Sequence, residues 1–198
     1  MEKIVLDGVP LTLDEDDNVQ VYERISSILS DQNRVIASVA VDGVEMSPEA
    51  FVSLEGGTSV EFVSMDVKEL VVQTLGSAGE YVVNVRKGAL SVADMLESEK
   101  VEQAMNLSVQ VMEGMDWLLT AVGRCMSLLG CTPDEGIFGD FQDARQKVAE
   151  KMELVVDSFE AGKFFAPAFV FREEMPPLID VVQNTIAALE GQVTGRRQ

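Results

Sequence analysis

Cys125 and Cys131 are the chain's two thiols, with five residues between them. Metal-binding and redox pairs usually sit closer, two to four apart, and have further ligands. A six-residue step along a helix rotates by ~240°, so the two side chains diverge. Gly130 ends the helix between them and leaves Cys131 room to turn back. The expectation is nonetheless two buried, unreactive thiols. The chain has no histidine, which removes the commonest general base and the commonest metal ligand. The run Asp14-Glu15-Asp16-Asp17 is dense but lacks the spacing and distal glutamate of a calcium loop. It reads as a solvated turn, and Glu97-Ser98-Glu99-Lys100-Val101-Glu102 as a stretch for surface ion pairs. There is no G-x-x-x-x-G-K-[ST] phosphate loop and no G-x-S-x-G elbow. Gly56-Gly57 reads as a tight turn that needs positive φ. The expectation is a non-enzyme with no catalytic, metal or cofactor site.

The apolar residue types carry more. Met105, Met112, Met115 and Met126 recur along one helical stretch. At that spacing methionine fills a core, or lines an adaptable groove for a partner helix. Phe164-Phe165-Ala166-Pro167-Ala168-Phe169-Val170-Phe171 is the densest aromatic stretch, and it falls between two helical patterns, where connections are normally polar. Either it tucks beneath the end of a helical bundle, against the N-terminal unit, or it is an exposed docking site. The candidate partner-docking residues are therefore Phe164, Phe165, Phe169, Phe171, Met112 and Met115.

Composition sets the class. The 198 residues are 46% hydrophobic and 25% charged, ordinary for a globular protein able to bury a core. The net charge is −19, and it is uneven: residues 1–66 hold 14 acidic and 3 basic residues, residues 67–198 hold 20 and 12. Such a surface repels phosphate backbones and anionic membranes. It keeps the chain soluble and steers basic partners towards it. No secretory signal and no apolar run near ~20 residues is present, so a cytoplasmic location is expected.

The elements that position these residues follow from periodicity. Strands flank Asp7-Gly8, a hairpin signal. Val21, Tyr22, Ile25, Ile28 and Leu29 then predict a helix ending near residues 31–33. Residues 35–41 read as a strand, Asp42-Gly43 as a second turn, Val44-Glu45-Met46 as a short return, and residues 60–63 as a closing strand. At Asp66 the period changes from two to about 3.6, and Asp66-Val67-Lys68-Glu69 has the form of a capping box. A helix is predicted up to a stop at Gly88, then a short one from Ser91 to about Glu97. Longer helices are predicted over 101–129, around 141–159 and over 178–189, the last started by Met175-Pro176-Pro177. The 101–129 helix is longer than its neighbour, so part of it is expected to project for dimer contact.

The segments Asp42-Gly43-Val44-Glu45-Met46-Ser47-Pro48-Glu49 and Leu54-Glu55-Gly56-Gly57-Thr58-Ser59-Val60-Glu61-Phe62-Val63 resemble the second half of the ubiquitin-like β-grasp fold of sulfur-carrier proteins of the thiamine and molybdopterin type. The resemblance covers about a third of the chain. It implies a mixed sheet crossed by one helix. In that family the reactive element is a C-terminal Gly-Gly, adenylated and then thiocarboxylated. Here Gly56-Gly57 precedes the last strand and the chain closes on Gly195-Arg196-Arg197-Gln198, so no reactive position carries over.

The sequence thus predicts an α+β fold: a β-grasp-like domain over 1–65, an antiparallel α-helical bundle over 66–191, and a frayed tail over 192–198. The expected function is a non-enzymatic, cytoplasmic protein-interaction or adaptor module that self-associates through its helical domain. Its partners would be proteins, with no nucleic acid and no membrane. Two alternatives stand beside it. One is an acidic chaperone for secretion or flagellar assembly. The other is a sulfur-transfer or cofactor-pathway protein with a degenerate carrier domain.

Overall fold

The computed structural model describes residues 3–195 except 14, 16, 55, 57 and 133–135. Part of the acidic run, Gly57, residues 133–135 and residues 196–198 therefore lie outside the described residues. The fold is α+β, and its contacts divide it into two compact units, Met1–Leu70 and Val71–Gln198.

The first unit is a five-stranded mixed sheet in the order β2-β1-β5-β3-β4. Its strands are β1 (Lys3–Leu6), β2 (Val9–Leu11), β3 (Arg34–Val41), β4 (Val44–Met46) and β5 (Ser59–Asp66). β1 and β5 are parallel at the centre; the other pairings are antiparallel. Both Asp-Gly pairs form the expected turns. Asp7 and Gly8 have φ of 50° and 80°, Asp42 and Gly43 of 50° and 81°, the double left-handed pattern that suits the twist of a two-residue hairpin. Helix α1 (Asn18–Ser30) is capped by the Asp17 carboxylate, which accepts from the Val19 amide at 2.6 Å. Its Val21, Ile25 and Leu29 pack on Ile4, Val39, Val60 and Phe62. The single-turn helix α2 (Pro48–Val52) adds Phe51, whose ring meets Phe62 edge to face at 5.4 Å.

The turn aspartates also act across the sheet. The Asp7 carboxylate accepts from the Ser64 amide at 2.7 Å and the Ser64 hydroxyl at 2.6 Å, and Arg34 stands 3.7 Å away. Burial pushes the Asp7 carboxyl up, but the Ser64 hydrogen bonds and the Arg34 charge outweigh it, and the net shift is downward. A depressed carboxyl stabilises the fold above its unfolded value and loses that contribution as pH falls through its folded value. Asp7→Asn is therefore expected to cost about 1 kcal/mol at neutral pH, modest because the pair is part-exposed. Thermal melts should show the gap between variant and wild type closing below the usual carboxylate range. Asp42 likewise accepts from the amides of Thr58 and Ser59, the latter at 2.8 Å, and so ties the β3–β4 turn to the start of β5.

β5 passes directly into α3 (Val67–Glu97), with Asp66 Oδ1 accepting from the amides of Lys68 and Glu69 as the capping pattern predicts. α4 (Val101–Leu128) and α5 (Ile137–Glu160) follow. Last comes a helical run from Phe165 to Gly195: α6 (Phe165–Phe169), a π-helical stretch (Val170–Glu174) and α7 (Met175–Gly195). The four long helices form an antiparallel bundle. Gly88 of α3 faces Val111 of α4 and Gly114 faces Tyr81 and Val85; Gly123 of α4 faces Phe141 of α5; Arg86 of α3 pairs with Asp180 of α7, and Arg172 with Asp94 and Glu97.

Two expectations are corrected. Gly88 does not stop a helix; α3 is one element through Glu97. A Cβ at Gly88 would stand 2.8 Å from Val111 Cγ2, so the glycine serves close helix packing. Residues 192–195, expected as tail, are the last turn of α7, with Val193 buried. α4, with 28 residues, is longer than α5, with 24, as the sequence predicts, and shorter than α3, with 31.

Candidate functional site

The Phe-rich stretch is helical. α5 closes at Gly162, φ 66°, with the Lys163 amide donating to the Ser158 carbonyl at 2.8 Å. Phe164 then leads into α6. Phe165 and Phe169 are one turn apart and so share a face, while Pro167 and Ala168 are buried on the other. The π-helical stretch resets the register: the Met175 amide donates to the Val170 carbonyl, five residues back. The prolines at 176 and 177 explain why. They have no N–H, and in α register their rings press on the carbonyls of residues 172 and 173. A wider turn relieves that clash. Beyond it, Phe171, Met175, Ile179, Val182, Ile186, Leu189 and Val193 form one buried stripe.

The same stretch is anchored by charge. Arg172 donates to Asp94 at 2.6 Å and to Glu97 at 2.8 Å, both on α3. The Asp94 and Glu97 hydrogen bonds raise its pKa and hold it charged. Lys151 of α5 reaches Glu174 at 2.7 Å. α6 therefore stands on a base tied to two other helices.

These contacts divide the aromatic candidates. Phe171 is 1% exposed and belongs to the core, whereas Phe165 is 85% and Phe169 50% exposed. Phe164 is half-buried, its ring 6.3 Å from that of Phe159. The methionines divide too. Met115 is fully buried in the core and out of a partner's reach. Met112 lines a groove of about 310 Å³ between α4 and α5, with Met105, Val109, Val156 and Phe159 among its walls. Phe159 thus joins two features: it lines the groove and it meets Phe164, the residue before α6. The arrangement can grip an apolar helix face. It offers methionine side chains that reshape at low cost and aromatic rings at the margin. Sequence reading missed Val109 and Val156, both exposed, because a helical seam does not show which side of it a neighbouring helix leaves open.

A family model described as a domain of unknown function, DUF8042, matches residues 73–185. The chain belongs to this family. The DUF8042 match runs from the second turn of α3 to Thr185 in α7, so it holds both the α4/α5 groove and α6. The sheet unit lies outside the DUF8042 match. No curated protein and no solved structure matches the chain.

The thiols of the DUF8042 region differ from each other. Cys125 is buried in the bundle, and burial pushes its thiol up to about 11. Cys131 lies past the helix end, half-buried, 3.6 Å from the Gln192 side-chain oxygen. In the native protein, a thiol reagent at pH 8 is expected to label Cys131 first and to reach Cys125 only on unfolding, as counted by mass spectrometry. Among the described residues, no three His, Cys, Asp or Glu side chains are grouped to hold a metal ion. Among the described residues, no helix is long and apolar enough to cross a membrane.

Proposed function

We propose that this chain is a non-enzymatic protein-interaction module, working in the cytoplasm, that receives the apolar face of an amphipathic helix from a basic partner protein. The observation that carries this reading is the 85% exposure of Phe165 beside the 50% exposure of Phe169, on a helix whose opposite face is buried. Covering the Phe165 ring is worth roughly 1.5–3 kcal/mol, and the half-buried Phe169 ring about half as much. The α4/α5 groove extends the apolar surface through Phe159 and Phe164. Charge selects the partner: a net −19 attracts a basic chain and repels a second copy of itself.

The sheet unit fits the same reading. Its strand order, with parallel first and last strands at the centre and α1 over one face, supports the β-grasp likeness. A carrier needs a flexible free end soon after its last strand; here β5 continues into a capped helix. That favours a scaffold over sulfur transfer. The acidic assembly-chaperone reading is a special case of the proposal, since such a chaperone also holds a partner's apolar helix.

Sedimentation velocity over a wide concentration range, at low and high salt, tests the choice of occupant. The expected result is the monomer mass throughout. A dimer that strengthens with salt and is lost in a Phe165→Ser/Phe169→Ser variant would make the occupant a second copy instead.

A further inference from the structure

The face between α3 and α4 carries a separate concavity of about 600 Å³, lined by Ser77, Tyr81, Gln110, Glu113, Gly114 and Trp117. The groove is open to solvent and wide enough for a small organic group to lie against its rings. Two partly exposed aromatic rings wall it: Tyr81 is 38% and Trp117 45% exposed, and they meet edge to face with centroids 5.4 Å apart. Gly114 makes that wall possible. A Cβ there would stand 2.8 Å from the Tyr81 hydroxyl oxygen and 3.1 Å from Val85 Cγ2, so any other residue would displace the ring. The remaining lining is a hydroxyl, an amide and one carboxylate, with no lysine or arginine. Glu113 forms no ion pair among the described residues.

This lining discriminates between ligand classes. An anion meets Glu113 and the field of a −19 chain. A metal ion finds one carboxylate and no grouped ligands among the described residues. A neutral apolar ligand gains nothing from Glu113, which is exposed and solvated. An organic cation uses every part: the aromatic faces attract it through their quadrupoles, and Glu113 supplies the opposite charge. We propose that the α3/α4 groove binds an organic ammonium group against Trp117 and Tyr81, with Glu113 as its counter-ion. The group comes either from a free quaternary ammonium compound or from a lysine, native or methylated, on another chain. This site is independent of the α6 surface.

Trp117 is the only tryptophan, so tryptophan fluorescence, excited beyond the absorption of Tyr22 and Tyr81, reads the groove alone. The experiment titrates the full chain with choline, with a trimethyllysine peptide and with 3,3-dimethylbutanol, the neutral isostere of choline, against sodium chloride at matched ionic strength. The expected result is a saturable change with the cations, at least about tenfold weaker with the neutral isostere. Glu113→Gln should weaken cation binding about fivefold or more with an unchanged melting temperature. Tighter binding of choline assigns a free ligand, and tighter binding of the peptide assigns a partner's side chain; both support the site. Equal binding of the neutral isostere, no saturable change beyond the salt control, or unaltered affinity in Glu113→Gln would overturn it.

Discussion

Phe171→Ala is expected to lower the unfolding free energy by about 3–5 kcal/mol, the usual cost of emptying a buried phenylalanine site. Phe165→Ala, six residues earlier in the same aromatic run, is expected to change it by less than ~0.5 kcal/mol. The two rings are chemically identical; their surroundings are not. Phe171 is 1% exposed and begins the buried stripe continued by Met175, Ile179 and Val182, so its removal leaves a void in the core. Phe165 projects from α6 and loses almost nothing in the isolated chain. Denaturant melts of the two variants measure the contrast directly. Similar costs would mean that α6 is packed as tightly as α7.

Gly114→Leu and Gly88→Leu are each expected to destabilise the bundle by about 1–3 kcal/mol, even though leucine is the better helix former by most of a kcal/mol. At Gly88 the first added carbon already meets Val111 Cγ2 at 2.8 Å, and a valine methyl on a helix has little room to move. At Gly114 it meets the Tyr81 hydroxyl and Val85. The control is Gly76, also inside α3, where a Cβ meets nothing within 4 Å. There Gly76→Ala is expected to stabilise by about 0.5–1 kcal/mol. Opposite signs in one helix separate close packing from propensity; equal signs would show that α3 and α4 can move apart.

The same residues show what a sequence can and cannot reveal. The Asp7-Gly8 and Asp42-Gly43 turns were legible because a two-residue hairpin needs positive φ at both positions, a purely local demand. The Asp66 cap and the Gly130 and Gly162 helix ends are local in the same way. Gly88 misled because a glycine that stops a helix and a glycine that lets another helix approach look alike until the neighbour is known. Pro176 and Pro177 misled because a proline in a helical pattern normally marks a start or a break; here a π-helical turn absorbs both. That in turn hid the helical character of residues 165–174. In the candidate site, the Phe run and Met112 were visible by composition. Which rings face out, and the open groove beside them, depend on how α4, α5 and α6 pack, which no single segment encodes.

The central claim is that the α6 surface is a docking site for a basic partner rather than an incidental exposure. The direct measurement is quantitative mass spectrometry of proteins captured from native lysate by the full chain, compared side by side with the Phe165→Ser/Phe169→Ser variant, after melts have shown both to be equally folded. The prediction is that at least one basic protein is retained by the wild type and depleted about tenfold or more by the variant. Identical captured sets from the two equally folded proteins would contradict the claim.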